Sequence, residues 1–266
     1  MSNHDFRDLH RGPAILLLPN AWDAGSARLV QNLGAKAIAT TSAGVAWSRG
    51  YPDGDALPIE QLLASVREIT RVIRVPLSVD IEGGYSDEPT VVARVVDGII
   101  DAGAVGINIE DRGGSPDLLC TKIEAARQSA TRAGADLFIN ARVDIYLHAL
   151  ATGDAAVEEV IRRAKRYRDA GSDGIFVPGV TNGPEIKAIA SAIDQLPLNI
   201  LAVPGLPSIE VLREQGVRRL SAGSGIARAA LTRASRLAAG FLQGDVDQMF
   251  SEMISHAEMN KLFTDK

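Results

Sequence analysis

Five times along the chain a helical pattern gives way to an apolar run through the same small phrase. It reads Leu33-Gly34-Ala35, Ala102-Gly103-Ala104, Ala133-Gly134-Ala135, Ala170-Gly171-Ser172 and Gln215-Gly216-Val217. A glycine placed there takes the left-handed conformation that ends a helix and turns the chain into the next strand. The apolar runs predict strands over 14–18, 37–41, 77–81, 105–110, 137–142, 174–177, 200–203 and 219–221, too continuous to be half-exposed and therefore buried on both faces. Helical spacing fills the gaps over 24–33, 59–73, 89–102, 122–133, 155–170, 184–193, 209–215 and 226–240. Alternating strands and helices with no linker between them predict a parallel sheet with helices outside. Eight such units in 266 residues fit a single (β/α)8 barrel, with a doubly wound open sheet as the alternative. A further helical pattern over 241–266 extends beyond the eighth unit and is expected to cover a barrel surface or a neighbouring subunit.

Composition narrows what such a fold serves. The net charge is -5, and no run of Lys and Arg stands out, which argues against a nucleic-acid partner. One cysteine, Cys120, excludes an intrachain disulfide framework and a cysteine metal cluster. The polar stretch 1–13 lacks the apolar core of a signal peptide, and no apolar run is long enough to span a bilayer. The expectation is a cytoplasmic protein that meets neither nucleic acid nor membrane.

In a (β/α)8 barrel chemistry sits at the C-terminal ends of the strands, and those ends are polar here. Strand three closes on Val79-Asp80-Ile81-Glu82-Gly83-Gly84-Tyr85. Side chains alternate along a strand, so Asp80 and Glu82 are expected on one face. Two adjacent carboxylates are costly unless a proton or cation lies between them, and a divalent metal with oxygen ligands is the simplest resolution. Strand four supplies Asn108 and Glu110 on one face and Asp111 on the other. Strand five supplies Asn140, Arg142 and Asp144. Arg142 suits bidentate capture of a carboxylate or phosphonate, or else a salt bridge to Glu110 or Glu82. Ser42-Ala43-Gly44 is positioned to offer backbone N–H groups to an anion. Asp53, within Tyr51-Pro52-Asp53-Gly54, reads first as a turn residue. His148 reads as a surface or supporting group and Cys120 as an inert small side chain. Gly223-Ser224-Gly225 before the last helix is a competing phosphate signal.

Taken in order, these segments resemble the isocitrate lyase/phosphoenolpyruvate mutase superfamily over nearly the whole chain. The carriers are Leu18-Pro19-Asn20-Ala21-Trp22-Asp23-Ala24, Thr41-Ser42-Ala43-Gly44, Gly50-Tyr51-Pro52-Asp53, the Asp80–Tyr85 segment, Gly106-Ile107-Asn108-Ile109-Glu110-Asp111 and Asn140-Ala141-Arg142-Val143-Asp144. The resemblance implies a (β/α)8 barrel whose last helix is exchanged between subunits of a homodimer or homotetramer. It implies Mg²⁺, or Mn²⁺, bound directly by Asp80, with Glu82, Glu110 and Asp53 holding metal-bound waters. It also implies a 2-oxo acid held by Ser42, Ala43, Gly44, Asn140 and Arg142, with Arg142 and Asp53 in catalytic roles. The shared chemistry makes or breaks a C–C or P–C bond beside a 2-oxo acid through an Mg²⁺-stabilised enolate.

The chain departs from the pattern where lyases of this group carry a Lys-Lys/Arg-Cys-Gly-His loop. Here the segment is Arg112-Gly113-Gly114-Ser115-Pro116-Asp117-Leu118-Leu119-Cys120, without the Lys, the Gly-His or the Asn/Thr of the mutase pattern. The metal and enolate half of the site is kept. That half suffices for C–C cleavage of an oxaloacetate-type decarboxylation, where CO₂ leaves without a dedicated acid. A phosphonopyruvate-type P–C hydrolase or mutase, a phosphate-dependent barrel enzyme and a non-catalytic 2-oxo acid binding protein are the alternatives.

Overall fold

The computed structural model describes residues 4–193 and 196–264; the outermost residues of the N-terminal stretch and of the C-terminal extension lie outside it. The elements in chain order are α1 (His4–Asp8), β1 (Leu16–Leu18), β2 (Asn20–Ala21), α2 (Ala24–Asn32), β3 (Ile38–Thr40), α3 (Ser42–Ser48), α4 (Ile59–Val72), β4 (Leu77–Asp80), α5 (Pro89–Asp101), β5 (Gly106–Glu110), α6 (Pro116–Arg132), β6 (Phe138–Arg142), α7 (Gly153–Asp169), β7 (Gly174–Val177), α8 (Gly183–Ala192), β8 (Leu198–Leu201), α9 (Ile209–Glu214), β9 (Val217–Ser221), α10 (Gly225–Leu242) and α11 (His256–Thr264), with a 3₁₀ turn at Asp247–Phe250 before α11. All strand pairings are parallel, in the order β1-β9-β8-β7-β6-β5-β4-β3-β2. Only Pro19 separates β1 from β2, so the two ends of the sheet are one chain and the sheet closes into a barrel. The predicted first strand is therefore split. Proline has no N–H for the ladder, so β1 pairs with β9 and β2 with β3, while the Pro19 carbonyl still accepts from the Ala39 N–H at 3.0 Å.

Two apolar regions hold the barrel. Outward residues such as Val79, Ile107, Ile109 and Ile139 pack under the helices. Phe6, Leu16, Leu18, Ala37, Ala39 and Phe138 fill the lower barrel interior. The helix α1 plugs that end: the Phe6 ring meets Phe138 edge-on at 5.5 Å, His10 stacks on Phe138 at 4.3 Å, and Arg7 ties to Asp136 and Asp173. Above the plug the interior turns polar, with Ser78, Asn108, Asn140, Asn199 and the fully buried Arg219. Among the described residues no carboxylate is paired with Arg219: Nε donates to Ser221 and Nη2 to Asn108 Oδ1 at 3.2 Å.

Other boundaries moved for local reasons. Ser115 caps α6 and Pro116 opens it, which starts that helix six residues before the predicted 122. The Ser42–Ser48 segment is a helix, and the sequence spacing predicts none between 33 and 59. Only Ala227 of α10 is buried, so this helix stands off the barrel. It leaves an apolar groove of about 930 Å³ on the outside of β1, lined by Ile15, Leu17, Leu29, Leu33, Leu220 and Ile226. Among the described residues no helix is long and apolar enough to cross a membrane.

Candidate active site

The strand ends surround a cavity of about 210 Å³. The register sets its floor and walls: Asp80 of β4 lies level with Asn108 of β5, and Asn108 with Asn140 of β6, while Glu110 and Arg142 pair one step higher. Asp80, Asn108 and Arg142 reach the cavity together with Thr41, Ser42 and Ala43 at the start of α3. The first-turn N–H groups of a helix have no partner within it, so α3 presents Ser42 and Ala43 to the cavity as a donor edge. Asp53 reaches the same space from the loop before α4, and is exposed at its rim.

Asp80 accepts from the Glu82 N–H at 3.1 Å, and its own N–H donates to Thr40 Oγ1 at 2.9 Å. Burial pushes its carboxyl upward, Arg142 opposes that, and Asp53 adds to it. Strand alternation does not carry on to Glu82. The strand ends at Asp80, and Glu82 adopts φ 52°, which turns its carboxylate sideways under the Asp53 loop. There it accepts from the Asp55 N–H and from Tyr85 Oη at 3.4 Å. Burial, with Asp55, Asp53 and Asp80 nearby, raises the Glu82 carboxyl to about 7. Glu110 is raised to about 8, again chiefly by burial, although Arg142 and Arg112 pull the other way.

Arg142 is the central cation. Its Nη1 meets Glu110 at 2.6 Å and its Nε meets Asp144 at 2.6 Å, while the guanidinium lies 6.0 Å from the centre of the Phe176 ring. Of the two uses foreseen for it, the bridge to Glu110 is present, and the side chain also lines the cavity. Asp111, on the opposite face of β5 as its position predicts, is a structural knot. It accepts from Arg163 and Tyr167 at 2.7 Å each, from the Gly113 N–H at 2.9 Å and from the Asp144 N–H at 3.1 Å. This anchors the segment after β5 and the loop after β6 to α7.

Some expected residues sit elsewhere. Asn140 is buried beneath the floor, donating to Asn108 Oδ1 at 2.9 Å, and does not line the cavity. Gly44 does not line the cavity; it is packed so closely that a Cβ there would come within 2.7 Å of Thr41 and 2.8 Å of Trp22. Glu82 and Glu110 stand beside the cavity rather than on its wall. His148 lies half-exposed, 3.8 Å from Asp144. In the Gly223-Ser224-Gly225 turn, the Gly223 N–H is taken by Asn20 Oδ1 at 2.9 Å and the Gly225 N–H by the Ala222 carbonyl at 3.2 Å, which weakens the phosphate reading.

Sequence reasoning missed Arg112 and Asp55. From the altered segment, Arg112 reaches Asp55 at 2.6 Å, Glu110 at 3.3 Å and Glu82 at 3.7 Å. Its guanidinium lies over Gly83, where a Cβ would meet Nε at 2.9 Å. The Asp53-Gly54-Asp55 repeat of acids was the available signal for Asp55. Nothing local distinguishes Arg112 from any other loop arginine.

Among the described residues no three His, Cys, Asp or Glu side chains converge as an all-protein metal cage. The donors present suit Mg²⁺ in a different way. Two carboxylates line the cavity, Asp80 within it and Asp53 at its rim, and Glu82 and Glu110 flank it, both raised chiefly by burial. Mg²⁺ keeps several waters and commonly takes only one or two carboxylates directly, so this donor set fits a hydrated magnesium and leaves little for a metal that demands full protein coordination.

Residues 6–242 match the phosphoenolpyruvate phosphomutase family. An uncharacterised Mycobacterium tuberculosis protein is 38% identical over 264 residues, covering 98% of this chain and 96% of its own. The oxaloacetate decarboxylase of Paraburkholderia xenovorans is 32% identical over 76% of this chain and 69% of its own. The 2-methylisocitrate lyase of Escherichia coli is 33% identical, but the match spans 66% of this chain and only 61% of the lyase. Among solved structures, a putative phosphonomutase from Burkholderia cenocepacia superposes with TM-score 0.84 at 39% identity, covering 89% of this chain and 98% of its own. Phosphonopyruvate hydrolase, solved with oxalate and Mg²⁺, shares the fold with TM-score 0.85 at 24% identity, over 98% of this chain and 95% of its own.

Proposed function

The chain belongs to the phosphoenolpyruvate phosphomutase family, and from that membership we propose that it is a Mg²⁺-dependent lyase that cleaves a C–C bond beside the carbonyl of a small 2-oxo acid. The observation that carries this reading is the single cavity in which Asp80 faces both Arg142 and the donor edge of α3. Arg142 and the N–H groups of Ser42 and Ala43 hold the substrate carboxylate from two sides and fix its plane. Asp80 would hold the metal, with Glu82, Glu110 and Asp53 gripping its waters. Mg²⁺ bound there would draw charge onto the 2-oxo oxygen as the bond breaks and so stabilise the enolate. Asp53, the carboxylate on the exposed rim, exchanges protons with the group that leaves. The buried Phe176 keeps water from the far side of the cavity.

Thermal unfolding with Mg²⁺ and oxalate, separately and together, tests this. Oxalate mimics the enolate, and a ligand that binds only the native state raises its melting temperature. The reading requires a shift that needs both components. A shift with inorganic phosphate and none with Mg²⁺ and oxalate would sink it.

The same reading extends to the assembly. The α10 helix stands off its own barrel with Leu231, Phe241 and Leu242 exposed, and the groove over Leu17 lies open. A second copy that lays its α10 across this groove buries both surfaces in a homodimer or dimer of dimers. Light scattering on Leu17→Arg should then show a smaller particle than the parent protein; an unchanged mass would refute the arrangement.

A further inference from the structure

The cavity has two unlike walls. One holds Asp80, Ser42, Ala43 and, at the rim, Asp53; the other is built from Leu147, Phe176, Pro178 and Leu201. Arg142 is the one cation lining it among the described residues, and Arg142 already meets Glu110 and Asp144 at 2.6 Å each. The polar groups on the floor are spent on one another. Asn20 bonds the Thr40 carbonyl and the Gly223 N–H, Asn108 Oδ1 accepts from Asn140 and Arg219, and Ser221 bonds Asn199. Two further cations lie outside the lining: Arg219, fully buried, is bonded to Asn108 and Ser221 beneath the floor, and Arg112 is held by Asp55, Glu82 and Glu110.

The lining sets a charge limit on the ligand. One carboxylate of the ligand is met by Arg142 and by a divalent cation held at Asp80; among the described residues the lining offers no other cation. A second carboxylate would sit against the apolar wall with no cation and with Glu110 and Asp144 close behind, an arrangement that costs free energy for an unpaired charge. The volume of about 210 Å³ lies below that of drug-sized pockets, roughly 300–1,000 Å³, so the ligand is small.

We infer that the site takes a monoanionic 2-oxo acid carrying a short aliphatic substituent, seated on Leu147, Phe176, Pro178 and Leu201, and that it discriminates against 2-oxo dicarboxylates. This rests on the metal–enolate reading above and narrows it away from oxaloacetate-type substrates. A substrate of this class parts with a neutral fragment. In a 4-hydroxy-2-oxo acid the C3–C4 electrons pass into the enolate, the C4 hydroxyl proton passes to Asp53, and the fragment leaves as an aldehyde. Return of that proton to C3 balances the exchange without a co-reactant.

The test is a binding series read by thermal shift and calorimetry at saturating Mg²⁺, with oxalate as the reference ligand. Pyruvate, 2-oxobutanoate and 3-methyl-2-oxobutanoate should tighten in that order, by about fourfold for each buried carbon. The dicarboxylates 2-oxoglutarate and 3,3-difluorooxaloacetate should bind at least tenfold more weakly than 3-methyl-2-oxobutanoate. Leu147→Arg, at an exposed rim position, should reverse that preference. A dicarboxylate that equals or beats the aliphatic acids overturns the inference, as does an unchanged ranking in Leu147→Arg. If oxalate itself fails to bind with Mg²⁺, the metal–enolate reading falls and takes this with it; if oxalate binds and a dicarboxylate wins, only the specificity falls.

Discussion

The crowded carboxylates make the metal-free protein lose stability as pH rises through neutrality. Glu82 and Glu110 stand at about 7 and about 8 in the fold against an ordinary 4.5, both chiefly because burial disfavours their charged form. A carboxyl raised on folding contributes fully below its unfolded pKa, and stability then falls as pH climbs towards the folded value, because the unfolded chain gives up the proton first. His10 acts in the opposite sense. Buried beside Arg219, it is held down at about 3, so its contribution is lost as pH falls below the ordinary 6.5 and is complete above it. The clean window is therefore pH 6.5–8, where only the carboxylates change. At about 1.4 kcal/mol for each pH unit per group, Glu110 loses most of that slope across the window and Glu82 less than half. Together they amount to about 2 kcal/mol. For a chain of this size that corresponds to a fall of roughly 4–8 °C in Tm. Calorimetric melts of metal-free protein at half-unit pH steps measure it. Saturating Mg²⁺, which requires the ionised carboxylates, should flatten the decline, and Glu110→Gln should remove most of it. A Tm that stays level or rises between pH 6.5 and 8 without metal would refute the reasoning.

Other expectations are simpler. Asp80→Ala should abolish Mg²⁺-dependent oxalate binding while leaving the fold intact; retained binding would move the metal elsewhere. Arg142→Lys keeps the charge but loses the planar fork, so ligand affinity should weaken by about tenfold, the loss of one charge-assisted hydrogen bond; unchanged affinity would confine Arg142 to its bridges with Glu110 and Asp144. Removing the buried carboxylate in Asp111→Ala leaves the Tyr167 hydroxyl unpaired and Arg163 with only Glu159 and the Gly114 carbonyl, and should cost about 2–4 kcal/mol by urea unfolding; a loss under 1 kcal/mol would show that water replaces it. Arg112→Gln should free the Asp53 loop and speed proteolytic cleavage near Gly54, whereas unchanged cleavage would show that Asp55 is held by its N–H bond to Glu82 alone.

The barrel was legible in the sequence because its causes are local. The glycine caps, the two-face apolar runs and the helical spacing between them are properties of neighbouring residues, and each survives folding unchanged. The same holds for the placement of Asp80, Glu110 and Arg142 at strand ends, since strand position alone assigns them to one rim. Local reasoning failed at punctuation: Pro19 split a strand, Ser115-Pro116 began a helix early, and the seven-residue helix Ser42–Ser48 is too short to show helical spacing. The use of the side chains was decided only in three dimensions. The left-handed turn at Glu82 swung its carboxylate towards Asp55, parallel register set Asn140 level with Asn108 and spent its amide there, and closure of the barrel brought Arg112 over carboxylates from three segments. Charge pairing and cavity lining depend on distances between residues far apart in the chain, and a sequence fixes those distances only through the packed fold.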